Sequence, residues 1–204
     1  MYNIIRLIIC GIFLACSVIA VKKSRVFRKH AFYTAFACLS IILFAVLAFL
    51  PFENFFITFD SPKEAYEYYN LGESNIELIV EGKDCDFIVD CKNDSDTYLI
   101  VPKTSDGWKI GIGSNAKKIV QTFSNGIALC VYQYKNTDDY FITVLDTNGG
   151  ESTISDEYNT NFLSTERYNE SLGKSFVTYY AHITNLKPQY NVTVNDQILF
   201  VSFP

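Results

Sequence analysis

Two uncharged apolar runs at the start of the chain, Leu7 to Val21 and Ala31 to Leu50, constrain this sequence more than any other feature. A helix that is apolar on every side needs an apolar surrounding. The second run, AFYTAFACLSIILFAVLAFL, has 20 residues without a charge, the length that crosses a hydrocarbon core of about 30 Å. The first has 15 residues between charges, and Arg6 lies within a turn of its start, from where a long side chain can snorkel to an interface. The expected anchor, residues 1–51, is therefore a two-helix transmembrane hairpin with spans at 4–21 and 31–50.

Charge sets the direction of such a hairpin. Lys22, Lys23, Arg25, Arg28 and Lys29 crowd the connection 22–30, and short loops rich in Lys and Arg stay on the cytoplasmic side. The expected placement is a multi-pass protein of the plasma membrane, with the lipid bilayer as its first partner. Its N-terminus and everything after Leu50 would be extracytoplasmic. A cleaved secretory signal, or a lipoprotein signal ending in Phe13-Leu14-Ala15-Cys16, fits less well, because only Arg6 precedes the apolar run while five basic residues follow it. Small residues four apart, Gly11/Ala15 and Ala31/Ala35, suit close packing of the two helices on each other.

The remainder has a different character. All 22 acidic residues follow Leu50, against 11 basic ones, so this part carries a net charge of −11 that the whole-chain value of −5 conceals. A field of that sign opposes nucleic acid and anionic lipid alike. About 150 residues suffice for one domain or two small lobes. Cys85, Cys91 and Cys130 lie here, an odd number, and Cys85 and Cys91 within one strand would be roughly 20 Å apart, too far to bridge. A bridge from either to Cys130 stays open, as does the simpler reading of buried thiols.

The predicted elements make this a mainly-β (α+β) domain. Ser61 at an N-cap, Pro62 at the first helical position and Glu64 beyond form a capping box for a helix ending near Gly72, with Ala65, Tyr68 and Tyr69 inward. From Asn75 the period becomes two: strands over 76–81, Cys85 to Cys91, Thr97 to Pro102 and Trp108 to Gly113, joined by polar turns, give an antiparallel meander. Residues 52–113 thus form a helix plus four strands, and 114–204 a β-rich second lobe with runs at 117–123, 126–135, 139–146, 174–186, 190–194 and 197–203. Val194-Asn195-Asp196-Gln197 reads as a tight hairpin turn. Residues 147–173 read as loop around one short strand, 161–164.

Tests for chemistry return little. His30 and His182 are the two histidines; His182, on the face shared with Tyr180 and Thr184, reads as a hydrogen-bonded or exposed strand residue, since no serine motif accompanies it. Asp84, Asp86, Asp90, Asp94 and Asp96 do not fit a calcium loop and read as solvated faces and turns. Trp108, Tyr132/Tyr134 and Tyr179/Tyr180 could present rings to a glycan or peptide, though alternating rings usually belong to a core. No catalytic, cofactor-binding or metal residue is assigned.

The linker phenylalanines Phe52, Phe55, Phe56 and Phe59 stand where rings settle into a membrane interface. Together with Phe59-Asp60-Ser61-Pro62-Lys63-Glu64-Ala65-Tyr66-Glu67-Tyr68 and Gly107-Trp108-Lys109-Ile110, they resemble an outer module of uncharacterised membrane-anchored proteins of Gram-positive bacteria over residues 51–113. The resemblance implies a bacterial plasma membrane and an outward-facing domain, with no activity attached. The expected function is a non-enzymatic binding or accessory domain whose partner is a membrane or envelope protein. The alternatives are an envelope-acting, carboxylate-based hydrolase, or a structural subunit of a membrane complex that acts through its helices.

Overall fold

The computed structural model describes residues 2–23, 36, 38–43, 45–46, 51–70, 74–92, 95–111, 116–149, 152–170 and 173–203. The basic residues 24–30 of the expected loop, with His30, Ala31, Ala35, Gly72, Asp94 and Gly113, lie outside them.

Helix α1 (Tyr2–Lys23) contains the first apolar run. Helical backbone recurs at 36, 38–43 and 45–46, with the Phe13 and Phe36 rings stacked at 5.9 Å. Among the described residues, however, no helix is long and apolar enough to cross a membrane. The two-helix transmembrane hairpin is corrected accordingly, and with it the multi-pass plasma-membrane placement. Arg6 does not snorkel: its Nη2 meets Glu53 Oε2 at 3.2 Å, and both residues are buried. A carboxylate brought in from the linker thus ties the start of α1 to the folded part. Leu7, Ile12 and Ile19 of α1 are exposed.

The linker is docked on the domain. After a 3₁₀ turn at Phe52–Phe55, the Asn54 side chain accepts from the Ile110 N–H at 2.7 Å and donates to the Ile110 carbonyl at 3.1 Å. Phe59 pairs with Trp108 through backbone bonds of 2.9 and 3.0 Å. Phe59 also packs its ring at a tilt against Tyr68 at 5.3 Å, whereas Phe55 and Phe56 are exposed.

Helix α2 (Pro62–Tyr69) begins as its capping chemistry requires: Ser61 Oγ accepts from the Glu64 N–H, and the Glu64 carboxylate accepts from the Asp60 N–H, both at 3.2 Å. It ends at Asn70, earlier than expected, and buries Ala65 and Tyr66. Next comes an antiparallel sheet of β1 (Ile76–Glu81), β2 (Cys85–Lys92), β3 (Ser95–Thr104) and the short β4 (Gly107–Trp108), in that order. A bulge between Ile76 and Leu78 puts Ile76 and Ile79 on the same face, under α2. The expected strand 108–113 stops at Trp108 because the chain turns onto Asn54. At Gly111 an added Cβ would lie 2.1 Å from the Ile100 carbonyl oxygen, so only glycine fits.

The central sheet comprises β5 (Ala116–Ser124), β6 (Ile127–Tyr134), β7 (Asp139–Asp146), β10 (Lys174–Thr184) and β9 (Leu163–Asn169), in the order β5-β6-β7-β10-β9. A third sheet joins β12 (Gln197–Ser202), β11 (Gln189–Val194) and β8 (Ile154–Asp156). Asn195 and Asp196 both take positive φ, 47° and 64°, in the turn between β11 and β12.

The layers follow from alternation. On β7, Phe141 points to the first sheet and Ile142 and Val144 to the third. On β10, Tyr180 and Tyr179 diverge in the same way. The central sheet is therefore covered on both faces, by an aromatic layer of Phe87, Tyr98, Tyr132, Phe141 and Tyr180 on one side and an aliphatic core with Leu129, Val192 and Leu199 on the other. Helix, sheet, sheet and sheet stack in sequence, as buried faces demand.

Candidate functional site

Polar side chains caught between these layers define the chemistry the fold can offer. Asp86 and Asp90 alternate with apolar residues on β2, but their face is covered by α2 and the linker, and both are buried. This corrects the expected solvated face. Asp90 accepts from the Tyr66 hydroxyl at 2.7 Å and the Asn75 N–H at 2.6 Å; Asp86 accepts from Trp108 Nε1 at 2.5 Å and the Gly82 N–H at 3.2 Å. Burial, and then the Asp90 bond, push the Tyr66 phenol well above its usual range. Asp96 faces the other side, and Asp84 sits in the turn before β2. The acidic residues of this stretch thus diverge, and among the described residues no group of three or more His, Cys, Asp or Glu could hold a metal ion.

Asp139, at the start of β7, is a second hub. Its carboxylate accepts from the Asp84 N–H at 2.6 Å and the Lys83 N–H at 3.2 Å, and it lies 2.8 Å from His182 Nε2 and 3.7 Å from Cys85 Sγ. Burial alone would raise its pKa, but the two backbone donors and His182 outweigh it, and the carboxyl is held below the usual aspartate range. The order of the three side chains decides what they can do. A nucleophilic triad places histidine between nucleophile and acid. Here the acid is central, and the wholly buried Cys85 thiol is pushed up by desolvation and then by the Asp139 charge. The cluster joins β2, β7 and β10, and His182 is its member that reaches open space. Cys85, Cys91 and Cys130 are free thiols, so no bridge to Cys130 forms.

Two clefts open along the seam where β1 overlies β9 and β10. One, of about 580 Å³, contains Glu77, Cys91, Asp96, Arg167 and Phe176. Arg167 pairs with both Glu77 and Asp96. Burial works against its charge, but these carboxylates more than compensate, and its pKa is raised. Asp96 also accepts from the Tyr98 and Tyr180 hydroxyls, each at 3.3 Å. Burial, followed by the Asp96 charge, pushes Tyr180 up to about 12. Glu77 and Asp96 are thus neutralised and held, a poor arrangement for acid–base work.

The other cleft, of about 620 Å³, is an open groove between Ile79–Glu81 of β1 and 180–184 of β10, with Thr160, Asn161 and Leu163 along its side. Its ionisable side chains are Glu81, His182 and the phenols of Tyr158 and Tyr180. Of the residues weighed from sequence, Tyr180 and His182 reach this groove, and Cys91 and Asp96 reach the other cleft. Tyr134 and Tyr179 are core, Tyr132 packs against the aromatic layer, and Trp108 lies over the α2 side of the first sheet. Sequence reasoning passed over Glu77, Arg167, Asp139 and Glu81. One signal was present: Arg167 is the sole arginine after Leu50, and a lone arginine amid acidic residues is a natural ion-pair centre.

Comparison with known proteins gives no match: no family model, no curated protein and no solved structure resembles the chain.

Proposed function

We propose that the β-rich part of this protein is a binding module and that the groove between β1 and β10 is its recognition site. The observation that carries the reading is the groove itself. It is an open cleft of about 620 Å³ that mixes apolar walls with the Thr160 and Thr184 hydroxyls, Glu81 and His182, a composition suited to selective recognition. Neighbouring chemistry favours binding over catalysis: Cys85 is sealed behind Asp139, and Glu77 and Asp96 are engaged by Arg167.

Photo-crosslinking in the cells that express the protein tests this. A photoreactive phenylalanine replaces Asn161 at the groove or, as a control, the exposed Phe200 on the outer face of the third sheet. A discrete adduct from position 161 that is absent from position 200 is the expected result. No adduct at 161, or the same adducts from both positions, overturns the reading.

A further inference from the structure

The groove has the form of a missing strand. β10 runs from Lys174 to Thr184, and β7 pairs with it through Thr184, but the β9 ladder ends at Tyr180↔Leu163. Among the described residues, Ala181–Thr184 therefore has a sheet neighbour on one side only. Across the gap, β1 ends the first sheet, with β2 on one side and no described strand on the other.

The reason β9 does not continue is local. Asp156 accepts from the Tyr158 N–H at 3.1 Å, the Thr160 N–H at 2.8 Å, the Thr160 hydroxyl at 2.6 Å and the Tyr190 hydroxyl at 2.8 Å. Asn159 has φ 52°, outside any extended line. The turn is thus gathered toward the third sheet, and the four-residue edge of β10, about 13 Å long at the usual strand rise, is left open.

We infer that this groove takes an extended peptide strand bearing a lysine or arginine, which adds to the free edge of β10 at Ala181–Thr184 and sets its cation against Glu81. The inference rests on the binding reading above and names its ligand class. Backbone pairing supplies affinity in strand addition, and flanking side chains supply selectivity. The charge is assigned by the lining. Glu81 is exposed at the lip, whereas His182 is already held through Nε2 by Asp139 at 2.8 Å. The net charge of −11 after Leu50, from 11 basic and 22 acidic residues, draws a cationic segment inward.

The test uses the full chain and short labelled peptides followed by fluorescence anisotropy. One alternates threonine and valine around two lysines; a second carries glutamates for the lysines; a third is the lysine peptide N-methylated at alternate backbone amides. The lysine peptide should bind about tenfold or more tightly than the other two. Glu81→Lys, an exposed change whose folding is checked by its circular dichroism, should reverse the charge preference. Slower amide exchange at 181–184 in the presence of the lysine peptide should accompany binding. Equal affinity for the lysine and glutamate peptides, or no loss on N-methylation, overturns strand addition by a cationic segment. Adducts at position 161 with no peptide binding overturn this inference and leave the binding reading standing; adducts of the chain with itself replace the peptide by a second copy. Absence of both adducts and peptide binding removes the two together.

Discussion

At the level of single residues, the aspartates of β2 and β7 show how a covered face changes the meaning of an acidic side chain. An Asp alternating with apolar neighbours normally faces water, yet Asp86, Asp90 and Asp139 are buried, and backbone N–H groups answer each of them. A buried carboxylate persists only when its lone pairs are satisfied. Because Asp139 is held below its ordinary pKa, it stabilises the fold fully above the unfolded aspartate value of about 4, and that stabilisation disappears as the pH falls through the lowered folded value. Asp139→Asn should therefore lower the urea midpoint at pH 7, and the gap from the parent protein should narrow by pH 3. A gap that stays constant between the two pH values would show that the charge of Asp139 is not what stabilises this joint. None of these partners was legible in the sequence, since Lys83 and Asp139 stand 56 positions apart.

Among the elements, those determined by neighbouring residues were readable. β7 runs from Asp139 to Asp146 as its β-branched and aromatic residues predict, and Asn195 and Asp196 form the expected turn. The start of α2 follows from Ser61, Pro62 and Glu64. Ser61→Ala should cost about 1 kcal/mol in chemical unfolding, whereas Ser61→Asp should be nearly neutral; equal losses in both would exclude capping as the cause. β9 was harder to read. Its burial runs exposed and half-buried in turn over Leu163–Asn169, as suits an edge strand, and its polar sequence LSTERYN carries no hydrophobic period. β8, three residues long, exists only because β11 pairs with it. The bulge at the start of β1 was also hidden, because a period of two cannot announce where it slips.

For the whole molecule, the decisive contacts lie between layers. Phe141 stacks on Phe87 at 5.1 Å, joining the first sheet to the central one, and lies tilted against the His182 ring at 5.2 Å. Phe141→Ala should cost about 3–5 kcal/mol, the range for emptying a packed aromatic site. Phe200→Ala, on an exposed face, should change stability by less than about 0.5 kcal/mol. Similar losses at both positions would mean that the two sheets do not share this layer. By itself the sequence determined the strand periods, the helix cap, the hairpin turn and the acidity of the chain after Leu50, because these depend on residues within a few positions of one another. Only the tertiary structure decided that Arg6 meets Glu53 rather than an interface, that Arg167 reaches back 90 positions to Glu77, and that β9 stops short of the end of β10. Those outcomes depend on how whole sheets stack and on which faces they cover, a long-range balance of burial and partner geometry that no local pattern encodes.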